Sequence, residues 1–146
     1  MYRNDGFREL SRQECVSRLS QADVGRVVFT RDALPAVLPV NFLLEPDGAV
    51  LLRTSASSEM VHAVDGAVVA FEGDDFNAAA HAGWSVLVTG LASVVTDPAD
   101  HDRLTRTGPR SWVAWPDEVF VRIEPELVTG RELPGGRTMY GLPLAP

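Results

Sequence analysis

The sequence predicts a mainly β protein: about six short strands in a closed antiparallel barrel, with two or three small helices at the crossings. Three observations carry this. Segments rich in Val, Leu and Phe recur at strand length between turns that bear Pro and Gly. Helix signals are confined to three short stretches, each opened by a capping residue. Strands joined by hairpins, without a helix at every crossing, favour an antiparallel sheet, and closing that sheet removes its exposed edges.

The elements follow in order. Ser11 with Glu14 three residues later is capping-box spacing. A helix therefore follows, with Leu10, Cys15, Val16 and Leu19 on or near its apolar side, and ends before Gly25. Strands are expected over residues 24–30, 35–44 and 49–55. The last two are joined by Glu45-Pro46-Asp47-Gly48, where Pro presets the turn and Gly accepts a positive φ. A brief helix fits residues 57–64, and a strand fits 67–72. Residues 73–83, acidic at first and Ala-rich afterwards, read as a loop. Residues 84–96 form the clearest strand, long enough to curl through two parts of a barrel, with Gly90 at a bulge or bend.

Asp97-Pro98-Ala99-Asp100 supplies an N-cap, a proline at the first helical position and an acidic first turn. The helix it opens should run to about Thr107, where Gly108-Pro109 stops it. Val119, Val121 and Ile123 alternate with Phe120 and Arg122, the pattern of a half-buried strand, and residues 127–133 continue it after Pro125. One domain is expected over residues 1–133, with an extended or mobile tail over 134–146.

Composition removes several function classes. The chain has 146 residues, 45% hydrophobic and 23% charged, which suits a folded globule. A net charge of −7 gives no basic footprint for nucleic acid or for an anionic membrane. All 13 basic residues are Arg, so Schiff-base chemistry and a P-loop lysine are excluded. The single cysteine, Cys15, cannot form an internal disulfide, and the polar N-terminus lacks the core of a signal peptide. A cytoplasmic location is the expectation.

Catalytic and metal patterns are sparse. His62, His81 and His101 are far apart and match no ligand spacing, so no metal is expected. Cys15 reads as a packing residue on an amphipathic helix. Ser85, in Gly83-Trp84-Ser85-Val86-Leu87, lacks the closing glycine of a nucleophile elbow. Asp74-Asp75 reads as a solvated loop rim. No glycine-rich dinucleotide or P-loop pattern occurs.

What remains is Leu51-Leu52-Arg53-Thr54-Ser55-Ala56-Ser57-Ser58, an Arg and a run of hydroxyls delivered by a buried strand to the start of a helix. Two readings fit. One is an anion seat, with guanidinium, hydroxyl and amide donors suited to a phosphate. The other is a plain strand-to-helix turn with Ser57 or Ser58 as N-cap.

The order of segments adds a resemblance. Val24-Gly25-Arg26-Val27-Val28-Phe29, Pro39-Val40-Asn41-Phe42, Leu52-Arg53-Thr54, Val69-Ala70-Phe71-Glu72 and Gly83-Trp84-Ser85-Val86-Leu87-Val88-Thr89-Gly90 occur in that order. Over about residues 10–133 the chain resembles the pyridoxamine 5'-phosphate oxidase-like, FMN-binding split β-barrel family, in its small actinobacterial-type members. The resemblance implies a six-stranded split barrel, a homodimer, and FMN held at the dimer interface, with deazaflavin or haem in some relatives. It implies that Val40, Asn41 and Phe42 lie along the isoalloxazine and that Arg53, Thr54 and Ser55 pass beneath the ribityl phosphate. Ser57 belongs to the same turn, Ser58 would cap the helix at the phosphate, and Trp84 would either close the pocket from the facing subunit or serve as a core tryptophan.

The implied activity is hydride transfer through the flavin by an oxidoreductase. The alternatives are a deazaflavin-dependent reductase, with Arg26, Arg31 and Arg122 as candidate cations, or a non-catalytic flavin, haem or interaction module. The departure from the family pattern is Glu59, which stands where relatives commonly place a Lys against the phosphate.

Overall fold

The computed structural model describes residues 6–135, so the expected tail lies outside the described residues from 136 onward. Within them run β1 (Arg8–Glu9), α1 (Arg12–Leu19), β2 (Val24–Arg31), β3 (Leu34–Leu44), β4 (Val50–Ser55) and α2 (Glu59–Val64). These are followed by β5 (Val68–Asn77), β6 (Ala82–Val94), α3 (Pro98–Thr107), β7 (Glu118–Ile123) and β8 (Leu127–Leu133).

Six of these strands close a ring. Neighbours run β6, β5, β2, β3, β4, β7, and β7 pairs back onto β6, all antiparallel. This is the closed six-stranded barrel expected from the sequence. The long strand β6 serves two parts of it, as its length suggests. Its first half, Gly83 to Thr89, pairs with β8, and its second half, Ala92 to Val94, pairs with β7. The chain passes from β7 to β8 directly across Gly90, where the Glu124 amide donates to the Leu91 carbonyl at 2.9 Å. The short strand β1 pairs outside β8 and was not foreseen.

The barrel interior is filled by alternate residues of these strands, including Val27, Leu52, Phe71, Val86, Val88, Val121 and Ile123, all buried. Phe42 packs on Phe71 with ring centroids 4.7 Å apart. Helix α1 adds Cys15 and Leu19, and α2 adds Met60, Val61 and Val64. The capping box is formed as expected, the Glu14 amide donating to Ser11 Oγ at 3.1 Å and the Ser11 amide to Glu14 Oε1 at 3.0 Å. The Glu45–Gly48 hairpin forms too, with Gly48 at φ +94°. Helix α3 is capped by Asp97 and ends at Gly108. It covers the outer face of the barrel, where Leu104 packs on Leu51 and Phe120.

Residues 73–83 are not the expected loop. β5 runs on to Asn77 and β6 begins at Ala82, with Asp74 opposite Ser85 and Asp75 opposite Trp84. Polar residues on the solvated side of a two-stranded extension have the composition of a loop but the pairing of a hairpin. Asp74 therefore shares a strand face with Glu72, next to Arg26 of β2, whose Nη1 donates to Glu72 Oε1 at 3.3 Å and to Asp74 Oδ2 at 3.4 Å.

Burial and then the neighbouring Asp74 push the Glu72 carboxyl up to about 7. A folded-state value above the unfolded one means that the folded protein holds the extra proton between about pH 4.5 and 7. Stability from this group is present below that window and is lost as pH rises through it. Glu72→Gln should remove the loss, making the variant more stable than wild type at pH 8 by on the order of 1 kcal/mol after solvent screening, and not at pH 5. Thermal melts at the two pH values measure it.

Candidate functional site

One cleft, about 610 Å³ in volume, brings together most of the residues singled out from the sequence. Val40 and Asn41 of β3 line it, with Arg53, Thr54 and Ser55 of β4 and then Ser57 and Ser58. Its volume is in the range of small-molecule and cofactor sites. Val24, Leu38 and Pro39 supply an apolar wall. Phe42 and Trp84 do not reach it within this chain. Each is 8% exposed and belongs to the barrel core. On β3 Phe42 turns to the core, opposite its neighbour Asn41, while Val40, on the same face as Phe42, packs partly against that core as well as lining the cleft.

Strand register explains the polar end. Leu51, Arg53 and Ser55 alternate onto the outer face of β4, while Val50 and Leu52 point into the barrel. Arg53 lies opposite Phe120, and Ser55 lies opposite Glu118. The Arg53 guanidinium therefore sits 5.4 Å from the Phe120 ring and reaches diagonally to pair with Glu118. Its Nη1 also donates to the Pro109 carbonyl at 3.3 Å. Its Nε is buried and has no protein partner. Arg53 is a held, oriented cation whose charge is already countered.

The donors of the turn are countered as well. Ser55 Oγ donates to Asp117 Oδ1 at 2.8 Å, and the Ser57 amide points to Asp117 Oδ2 at 3.2 Å. The Ser55 hydroxyl above all, together with the Ser57 amide, holds the Asp117 carboxyl below the usual carboxylate range. Ser58 is the N-cap of α2, its Oγ accepting from the Met60 amide at 3.2 Å. At the helix start the amides of Ser57, Ser58 and Met60 are thus already taken, by Asp117, the Ser55 carbonyl and Ser58. α2 is also only six residues long.

The roof was missed in the sequence. Ser111, Trp112, Val113 and Trp115, between α3 and β7, line the cleft. The Trp112 amide donates to Asn41 Oδ1 at 3.0 Å, tying roof to wall, while Trp112 as a residue is 80% exposed. The signal available was two tryptophans in an irregular five-residue stretch straight after a helix stop.

Other candidates lie elsewhere. Glu59 points away from the cleft and pairs with Arg31 at 2.6 Å. Arg26 is held by Glu72 and Asp74, and Arg122 by Glu45, Asp47 and Glu124, so neither these nor Arg31 lines the cleft. Cys15 is fully buried, and burial pushes its thiol up, as suits a packing residue. Among the described residues no group of three or more metal-ligating side chains occurs, and no helix is long and apolar enough to cross a membrane.

Fold and cleft together define a class: a small antiparallel split barrel carrying a half-apolar, cofactor-sized cleft between a strand wall and an aromatic roof. The family described as pyridoxamine 5'-phosphate oxidase matches residues 11–132, and the chain belongs to it. It is similar to the uncharacterized protein Rv0080 of Mycobacterium tuberculosis, 46% identical over 127 residues, covering 84% of this chain and 82% of that protein. Among solved structures it is similar to the FAD binding protein from Mycobacterium smegmatis, with 34% identity, a TM-score of 0.73 and coverage of 86% of this chain and 98% of that one. A conserved protein of unknown function, DIP1874 from Corynebacterium diphtheriae, is 33% identical with a TM-score of 0.73, covering 87% and 98%.

Proposed function

We propose that the protein binds a flavin in this cleft and works as a flavin-dependent oxidoreductase, with FMN as the first candidate. The observation that carries the reading is the convergence of Val40, Asn41, Arg53, Thr54, Ser55, Ser57 and Ser58 on one cleft in a chain of this family. The similarity to an FAD binding protein supports a flavin without choosing between FMN and FAD.

The residues fit such a group unevenly. The apolar wall and the two roof tryptophans suit a planar ring. At the other end Arg53 offers a cation with a buried, unpartnered Nε. A bound flavin would supply hydride transfer, chemistry that belongs to the cofactor and needs no triad or acid–base pair from the chain. The chain's part would be orientation and dryness: Val40 and Asn41 would flank the ring, Trp112 and Trp115 would cover it once closed over it, and Arg53 would face the anionic tail.

The same reading has the site completed by a second copy. Residues 34–41 of β3 pair only with β2 among the described residues. There Leu34, Val37 and Leu38 are exposed next to the cleft wall, an apolar strip continuous with Leu38 and Pro39 of the cleft itself.

The test is direct. The visible spectrum of the purified chain is recorded, followed by titration with FMN, FAD and riboflavin under tryptophan fluorescence, with sedimentation of the same sample. Uptake of a flavin at micromolar concentration, with quenching of the roof tryptophans and a dimeric mass, is the expected result. No uptake of any flavin at high micromolar concentration sinks the flavin reading, and a monomer sinks the shared site.

A further inference from the structure

We infer that Asp117 sets the anion selectivity of the cleft, an internal carboxylate that holds the donors a ligand's phosphate would otherwise take. This rests on the flavin reading and deepens it.

The argument starts from the donor inventory. Among the donors of the cleft-lining residues of β4 and the turn after it are the hydroxyl of Ser55 and the amide of Ser57, with the Ser57 hydroxyl 2.8 Å from Ser55 Oγ. Both are spent on one carboxylate, at 2.8 and 3.2 Å. The next residue, Glu118, takes the guanidinium of Arg53. Two consecutive acidic residues thus engage donors at both ends of this polar wall, while Arg53 Nε stays unpartnered. A phosphate dianion approaching Ser55 and Ser57 meets donors already engaged and, beside them, the exposed Asp117 carboxylate, a like charge that repels it. The isoalloxazine end of the cleft, walled by Val24, Leu38, Pro39 and Val40, is untouched by this charge.

A neutral flavin and a phosphorylated one are therefore treated differently. Riboflavin, without phosphate, leaves Asp117 in place. FMN must displace Asp117 from Ser55 and Ser57 or hold its phosphate off them. Asp117→Asn keeps the shape and a carbonyl acceptor for the Ser57 amide but removes the charge. Asp117→Ser keeps a smaller acceptor, should the amide disturb folding.

The experiment measures FMN and riboflavin affinity, with near-UV circular dichroism to verify folding, in the wild-type chain and both variants. The expected result is FMN binding at least tenfold tighter in Asp117→Asn and in Asp117→Ser, with riboflavin changed less than twofold. Equal changes for the two ligands overturn the inference, as does unchanged FMN affinity in folded variants. Riboflavin binding with unchanged FMN affinity overturns the inference alone and spares the flavin reading. Folded variants that take up neither ligand overturn both.

Discussion

Replacing Gly90 by alanine should cost about 3 kcal/mol of stability, read as a lower urea midpoint and a melting temperature lower by roughly 10 °C. The reason is purely spatial. A Cβ at this position would lie 1.8 Å from the Glu124 carbonyl oxygen, 2.8 Å from its carbon and 3.3 Å from the Glu126 nitrogen. All three are backbone atoms, so no side chain can swing aside. The obstructed segment is the crossing from β7 to β8, tied down by the Glu124 amide on the Leu91 carbonyl and by Leu127 opposite Thr89. To admit the methyl group, the ladder must open on one side of β6 or the other. A loss below about 1 kcal/mol would mean that the crossing gives way easily, against the packing seen here.

Arg53→Gln should act on two quantities at once. It strands the Glu118 carboxylate and the Pro109 carbonyl, and the pair it breaks is only 16% and 23% exposed. Breaking a buried ion pair from one side costs 3–5 kcal/mol, and for this partly solvated pair about 2 kcal/mol is expected. The same change removes the cation facing the ligand's anionic tail, so FMN affinity should fall at least tenfold while riboflavin affinity falls less. The double variant Arg53→Gln with Glu118→Gln separates the effects. It should regain most of the stability, because no charge is left unpaired, but only the part of the FMN affinity that the bare Glu118 carboxylate had cost. If FMN affinity returned in full with stability, Arg53 would be a structural residue and nothing more.

Much of this architecture was legible in advance because it is local. The Ser11–Glu14 box, the Pro46–Gly48 turn and the Asp97-Pro98 helix start are decided within four residues of sequence, and all formed. The division of β6 was legible from length and from one glycine. What could not be read was pairing at a distance. Asp117 meets Ser55 across 62 residues, and Glu118 meets Arg53 across 65, through the register of β4 with β7.

The hydroxyl run therefore looked empty when its partner was already in the chain. Asp74 and Asp75 misled for a related reason, since polarity reports a solvated face and not whether a strand lies beneath it. A period-two pattern gives two faces without naming which one is the core, and within this chain it is the core face that holds Phe42 and Trp84. Glu59 looked like a defect in the phosphate seat, yet its side chain turns toward Arg31 on the far side of the helix.

The pairing of β1 with β8 also bears on how the chain is made. Arg8 lies opposite Glu132, and Arg8 and Arg18 both reach the Glu132 carboxylate, at 3.2 and 2.6 Å. A ribosome releases the first of these partners more than a hundred residues before the last. Throughout that interval the segment carrying Cys15 and Leu19 lacks a complete β8 to dock against, and for most of it the barrel ring lacks β7. Closure must therefore wait until β7 has left the ribosome, and a nascent chain stalled before residue 118 leaves apolar strand edges open to chaperones or to one another.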